Sequence, residues 1–322
     1  MRFSILSLSA LALTAAAPAM AQDATATPGQ EPATPATDQE PATPTTGRDP
    51  GAATVASDAT SPAPSFKITG GATLISDYRF RGLTQTDRGP ALQGTINVNT
   101  AVGFYVGTWA STIDGDLKVD RANSAGLSAI SGSTVVTGST PALYGYGDAE
   151  VDLYGGFTKT LPGGLGVDVG LLYYYYPSGA DGLNTDFFEP YASLTYTLGP
   201  VAAKAGAAYA WGGQDGLNFT GGKDDNLYVY GEGSVGIPTT PVTLKGHVGR
   251  TRGSLGLVNL NPNNHGYWDW SATAEAVGGP LKVGVSYVDT TITSRYVPAF
   301  RGQFNQHLGR GWTVLGYVGV TF

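Results

Sequence analysis

GWTVLGYVGVTF, residues 311–322, alternates with the period of a β-strand. Trp312, Val314, Gly316, Val318, Val320 and Phe322 share one parity, and Thr313, Leu315, Tyr317, Gly319 and Thr321 share the other. The first face is free of polar side chains and ends on an aromatic ring. In a soluble domain such a face lies over a core; in a closed sheet it can equally face lipid. The rest of the sequence decides between the two.

Upstream, the same alternation predicts strands at 68–82, 91–99, 103–112, 147–158, 165–176, 187–198, 201–211, 226–237, 242–251, 267–277 and 281–290, about twelve with the first stretch. The connections are more telling. A medium loop at 84–90 is followed by a tight turn at 100–102 and a long loop at 113–146. Then come LPGG, a loop at 177–186, GP at 199–200, a loop at 212–225, PTTP, a loop at 252–266, GGP and a loop at 291–310. Long and short alternate without exception. Up-and-down outer-membrane barrels segregate their connections this way, with short periplasmic turns and longer outer loops, whereas the Greek-key crossovers of sandwiches mix them. The expected fold is all-β, a transmembrane antiparallel β-barrel with both termini periplasmic.

Composition agrees. Charged residues make up 13%, with 47 Gly, 18 Tyr and no Cys. The lack of Cys excludes disulfide scaffolds, thiolate metal sites and Cys nucleophiles. No later segment has the 18 or more apolar residues of a spanning helix, so a membrane location requires a closed sheet. The opening MRFSILSLSALALTAAAPAMA reads as a secretory signal cleaved after Ala21, covering residues 1–21. Residues 22–65, rich in Ala, Thr and Pro with EPATP twice, are expected to be a disordered periplasmic spacer ahead of a barrel at 66–322. A net charge of −7 without basic clusters argues against nucleic acid.

Parity then separates the faces. Leu165, Val167, Val169 and Leu171 oppose Asp168; Leu227, Val229 and Val235 oppose Tyr228, Tyr230 and Glu232; Ala272, Ala274 and Ala276 oppose Asp269 and Glu275. Charges at these depths must line an interior. On the apolar parity, Tyr78, Phe80, Tyr173, Tyr175, Phe188, Tyr209, Trp211, Trp268, Trp270, Tyr287 and Trp312 fall near the long loops. Phe104, Phe157, Tyr196 and Phe322 fall near the short turns. They predict two interfacial girdles facing outer-membrane lipids. Phe322 also suits the terminal signal read by barrel insertion machinery.

Interior candidates are Asp77, Arg79, Arg81, Glu150, Asp152, Asp168, Glu189, Lys204, Glu232, Lys245, His247, Asp269, Glu275 and Lys282. A twelve-strand barrel has a backbone diameter of roughly 24 Å and a lumen about 10 Å wide. Rings of these groups would set preference for small hydrophilic solutes or ions, with cations favoured because acids predominate; the alternative is that they merely pair and fill the space. Arg79 and Arg81, sharing a parity with Asp77 near the outer mouth, form a candidate clamp for a carboxylate or phosphate.

Other chemistries are weaker. There is no G-x-S-x-G, and His247 would face inward, away from lipid, which is poor geometry for a barrel hydrolase; no enzyme is expected. In DGDLKVD, Lys118 occupies a calcium-ligand position and no closing Glu follows, so no metal or cofactor is expected. A plugged structural or adhesive barrel is the main rival, with the loop at 291–310 and its Tyr296, Phe300 and Phe304 as the plug.

Six blocks carry a resemblance: SDYRFRGLTQT (76–86), PALQG (90–94), GFYVGTWAS (103–111), EVDLYGGFT (150–158), VDVGLLYYYYP (167–177) and EPYASLTY (189–196). Together they resemble the TorF family, assigned as porins by analogy and also catalogued as Gcw-type conserved hypothetical proteins. The resemblance implies a bacterial outer-membrane pore. The Pro/Thr-rich tail, the Ser/Gly-rich stretch at 121–141 and the weaker blocks after Pro200 depart from it. It carries over no functional residues.

Overall fold

The computed structural model describes residues 66–115, 128–130, 133–135, 146–179, 185–217, 225–255, 266–292 and 311–322. Its strands are β1 (Phe66–Ile75), β2 (Arg79–Phe80), β3 (Leu83–Thr84), β4 (Ala91–Thr100), β5 (Phe104–Gly115), β6 (Ser128–Ile130), β7 (Ser133–Val135) and β8 (Gly147–Thr160). There follow β9 (Leu165–Tyr175), β10 (Phe187–Leu198), β11 (Val201–Ala210), β12 (Asn226–Gly236), β13 (Val242–Gly253), β14 (Gly266–Gly278), β15 (Leu281–Thr290) and β16 (Thr313–Thr321). Twelve of them close into one barrel in the order β1-β4-β5-β8-β9-β10-β11-β12-β13-β14-β15-β16, every pair antiparallel. The pairs β2-β3 and β6-β7 are separate two-stranded sheets.

The strand that opened the sequence reading closes the cylinder. β16 pairs with β1 from Gly71↔Thr321 to Ile75↔Tyr317, and Phe322 exchanges two backbone hydrogen bonds with Gly70 at 2.9 and 3.0 Å. Closure forces the strands to tilt and stagger. Stepping between partners, Lys67 at the short-turn end of β1 leads through Asn99, Tyr105, Gly156, Gly170, Tyr191, Ala208, Tyr228 and Thr251 to Tyr267 at the long-loop end of β14. The short ends are tight. LPGG turns on Gly163 and Gly164 at φ 94° and 85°, a region that costs a side chain dearly.

Outside, a belt of Ile68, Leu74, Ile96, Val106, Leu153, Leu194, Val229, Val285 and Val318 stands exposed on the outward parity. A continuous apolar belt of this kind is a lipid-facing surface. Aromatic rings bound it. Phe188 stacks between Tyr173 and Trp211, Tyr287 lies beside Trp312, and Phe104 meets Phe157 at the other rim. Two expected members are corrected. The first strand ends at Ile75 instead of continuing to residue 82, so Tyr78 and Phe80 turn inside, Tyr78 against Trp109 and Phe80 edge-on to Tyr174.

Inside, the wall is built from rings laid on glycines. Tyr154 covers Gly107, Tyr105 covers Gly156, Tyr191 covers Gly170, Tyr230 covers Gly206, Tyr228 covers Gly249 and Tyr317 covers Gly284, each leaving no room for a Cβ. A glycine on one strand lets the ring from its neighbour lie flat along the sheet with its hydroxyl pointing into the lumen.

Candidate functional site

The residues after β1 make the central feature. Arg79–Phe80 and Leu83–Thr84 pair as a hairpin joined by the two residues Arg81 and Gly82, at φ 49° and 81°. Two consecutive positive φ values define the turn whose twist matches a two-residue hairpin. Arg81 is an unusual occupant, since a non-glycine residue in this region costs about 1–3 kcal/mol. Its side chain accounts for the choice.

From that turn, Arg81 Nη2 donates to both carboxylate oxygens of Glu189 on β10, each at 2.8 Å, and the Tyr174 hydroxyl donates to the same carboxylate at 2.8 Å. The guanidinium lies 4.2 Å from the centre of the Tyr228 ring on β12. Burial works against its charge, but the Glu189 carboxylate outweighs it and holds its pKa above the usual arginine value. Its Nη1 is buried and makes no hydrogen bond among the described residues.

Arg79 stabilises the hairpin itself. It meets Asp77 at 2.6 Å and donates to the Gly82 carbonyl at 3.1 Å, while Thr84 donates to the other Asp77 oxygen at 2.6 Å. The Gln85 carbonyl accepts from the Asp114 amide of β5 at 2.9 Å. On the opposite side Gly82 abuts Asp269 of β14 and Thr290 of β15. The hairpin thus touches β5, β9, β10, β12, β14 and β15 and lies across the long-loop half of the lumen. Arg79 is 1% exposed and Asp152 0%.

Below it the interior is polar and layered. The Tyr228 hydroxyl meets His247 Nε2 at 2.8 Å and donates to Asp269 at 3.1 Å, and His247 Nδ1 lies 3.2 Å from Glu232. On the other wall Tyr105 donates to Asp168 at 2.6 Å beside the Tyr191 hydroxyl, and Tyr154 donates to Asn97 at 2.5 Å. Toward the short turns Lys245 pairs with Glu275 at 3.0 Å, and Tyr317 donates to Glu275 at 2.6 Å. A narrow recess of about 20 Å³, room for little more than a water molecule, opens there, lined by Thr195, Lys204, Glu232, Ser234, Lys245, His247, Ser271 and Thr273.

Every sequence candidate therefore points inward, in three groups. Asp77, Arg79, Arg81, Glu189 and Asp269 gather at the hairpin, joined on the β8 wall at the long-loop end by Glu150 and Asp152. Lys204, Glu232, Lys245, His247, Glu275 and Lys282 gather on β11–β15, and Asp168 stands on β9. The arginine clamp differs from expectation: both guanidinium groups already hold a carboxylate of the chain itself. The sequence reading missed Tyr105, Tyr191, Tyr154, Tyr317 and Thr84, whose roles depend on strand register. DGDLKVD, apart from its first two residues, and the loop bearing Tyr296, Phe300 and Phe304 lie outside the described residues, as does the segment at 1–65.

Removing Glu189 tests the docking. Glu189→Ala leaves the Arg81 charge buried without its partner, a loss of about 3–5 kcal/mol, more than one hairpin withstands. In the folded variant, trypsin is expected to cut at Arg79, Arg81 or Arg88 at least tenfold faster than in the parent protein, read by mass spectrometry of the fragments.

Among solved structures, the NanC porin covers 80% of this chain and 99% of its own, at 11% identity and a TM-score of 0.45. The KdgM porin covers 79% and 99%, at 7% identity and a TM-score of 0.45. OmpT expressed in the outer membrane of Vibrio cholerae covers 81% and 99%, at 11% identity and 0.33. No curated protein matches the chain. A family model, described as a bacterial protein of unknown function, matches residues 57–315, and with the hairpin and nearly all of the barrel inside that match, the chain belongs to the Gcw_chp family.

Proposed function

We propose that the chain is an outer-membrane porin-like channel for passive diffusion of small hydrophilic solutes or ions, narrowed by the β2-β3 hairpin. The TorF designation is part of this reading. So are periplasmic termini, a periplasmic spacer at 22–65 and delivery by barrel insertion machinery through Phe322. The supporting observation is an interior lined with charge-bearing side chains below the hairpin, where Lys204, Glu232, Lys245 and His247 border a recess. A wall that only needed filling is built more stably from apolar side chains. Along the whole lumen Asp77, Glu150, Asp152, Asp168, Glu189, Glu232, Asp269 and Glu275 outnumber Arg79, Arg81, Lys204, Lys245 and Lys282, which favours weak cation preference.

The second reading, a plugged structural barrel, draws on the hairpin itself, whose Arg79 and Arg81 are 1% and 3% exposed. Planar-bilayer recording of the refolded protein under a salt gradient separates the two. Discrete small steps with a reversal potential on the cation side support the channel. Silence from protein that migrates as a folded, heat-modifiable band supports the plug.

A further inference from the structure

The lumen is chemically uneven from wall to wall. Between β9 and β14 the inward carboxylates meet tyrosine hydroxyls, His247 or Lys245. On β15, β16, β1 and β4 the inward parity is small or neutral, and apart from Lys67 at the short-turn end of β1 its one charge is Lys282. Lys282 is 7% exposed, and among the described residues it makes no hydrogen bond and no ion pair. Glu275, the acid that acts on it, has one oxygen on Lys245 at 3.0 Å and the other on the Tyr317 hydroxyl at 2.6 Å. An ammonium enclosed to this degree without a partner is costly.

Its surroundings supply further donors. Lys282, Gly319, Thr73 and Gln93 are successive register partners across β15, β16, β1 and β4. The lysine lies over the glycine: a Cβ on Gly319 would meet Lys282 Cε at 2.6 Å and Thr73 Oγ1 at 2.7 Å. Gln93 is also 7% exposed, and neither its amide nor the Thr73 hydroxyl bonds to a described residue. Strands about 4.8 Å apart put the Gln93 backbone about 10 Å from Gly319 with Thr73 midway, so the three side chains stand within reach of one small molecule. The row from β15 to β4 thus offers an ammonium, a hydroxyl and an amide without partners, and no carboxylate.

A single positive charge with two neutral donors matches a carboxylate, whose two oxygens accept from the ammonium and the hydroxyl. The amide, both donor and acceptor, suits a hydroxyl carried beside that carboxylate. Glu275 nearby and the acid excess of the lumen oppose a dianion such as phosphate. We propose that Lys282, Thr73 and Gln93 bind the carboxylate of a small hydroxylated monoanion inside the barrel. Passage of that solute rests on the channel reading; its binding does not.

The test uses the full mature chain refolded in maltoside micelles, with lactate as the probe and saturation-transfer-difference NMR as the readout. The parent protein is expected to give a saturable lactate signal that lactamide, the uncharged counterpart, does not give. Lys282→Met should weaken binding about tenfold. Thr73→Val, Gln93→Leu and Gly319→Ala should each weaken it severalfold, and Lys159→Gln on the outer face should leave it unchanged. Lys282→Met removes a buried charge that has no partner, so its fold should hold, and heat-modifiable migration checks every variant. Undiminished lactate binding by folded Lys282→Met overturns the proposal. Chloride that competes as well as lactate shows an anion site without choice of a carboxylate and also overturns it. Planar-bilayer recording separates the two readings. Lactate binding by a silent barrel keeps the site and removes the channel, whereas conduction without lactate binding keeps the channel and removes the site.

Discussion

Replacing residues 79–86 with two glycines is expected to raise the single-channel conductance of the refolded barrel on the order of tenfold, because it clears a lumen about 10 Å wide. The barrel should survive the change. The hairpin pairs only with itself, and its one backbone bond to the wall in the described residues is from the Asp114 amide to the Gln85 carbonyl. The main costs are Glu189, left buried with Tyr174 as its remaining described donor, and Asp77, which loses Arg79 and Thr84. Adding Glu189→Gln and Asp77→Asn to the excision removes both charges and is expected to restore stability without closing the channel. If the excised and folded barrel stays silent, the hairpin is not the barrier, and the channel reading gives way to a barrel closed at another level.

The second large effect belongs to the glycines under the tyrosine rings. Gly170→Val places two methyl groups where the Tyr191 ring lies, with the Gly155 carbonyl close behind. The ring must leave, and the Tyr105–Asp168–Tyr191 cluster opens around a carboxylate whose Oδ2 already makes no hydrogen bond among the described residues. Overpacking adds about 1–3 kcal/mol, and the disrupted buried polar cluster a further 1–3 kcal/mol. The variant is expected to lose most of its heat-modifiable band and to unfold at a clearly lower urea concentration. Gly233→Val is the control, since its new side chain meets only lipid, and its urea midpoint should match that of the parent. Equal losses in both variants would show that any side chain replacing a strand glycine, and not the ring contact, sets the cost.

These two effects mark where the sequence could and could not be read. Alternation in stretches such as 227–235 and 272–276 reports a property of single strands, one wet face and one greasy face, and it located every wall strand but the first to within a few residues. Loop alternation supplied their common direction. The hairpin escaped because Ser76–Thr86 also alternates, so its parity is consistent with β1 running on. The only local sign was Arg81-Gly82 flanked by two short β-prone pairs, a weak form of a two-residue turn that usually begins with Asn or Asp. The ring contacts escaped for another reason. Tyr105 and Gly156 lie in the same stack but 51 residues apart, and no local period says which tyrosine meets which glycine. The candidate charges were legible as inward-facing; their partners, Arg81 with Glu189 and Lys245 with Glu275, were not, because pairing depends on stagger around the whole cylinder.

The position of the hairpin in the chain also bears on how such a cylinder assembles. β1 meets β16 at the last seam, and the hairpin follows β1 directly while holding Glu189 on β10, far around the sheet. If that contact forms while the sheet is still open, it draws one edge toward the middle of the sheet and imposes curvature before the edges meet. The segment that blocks the finished passage would then have served earlier as a strut around which the sheet was bent, and its loss would slow closure even where the closed barrel is no less stable.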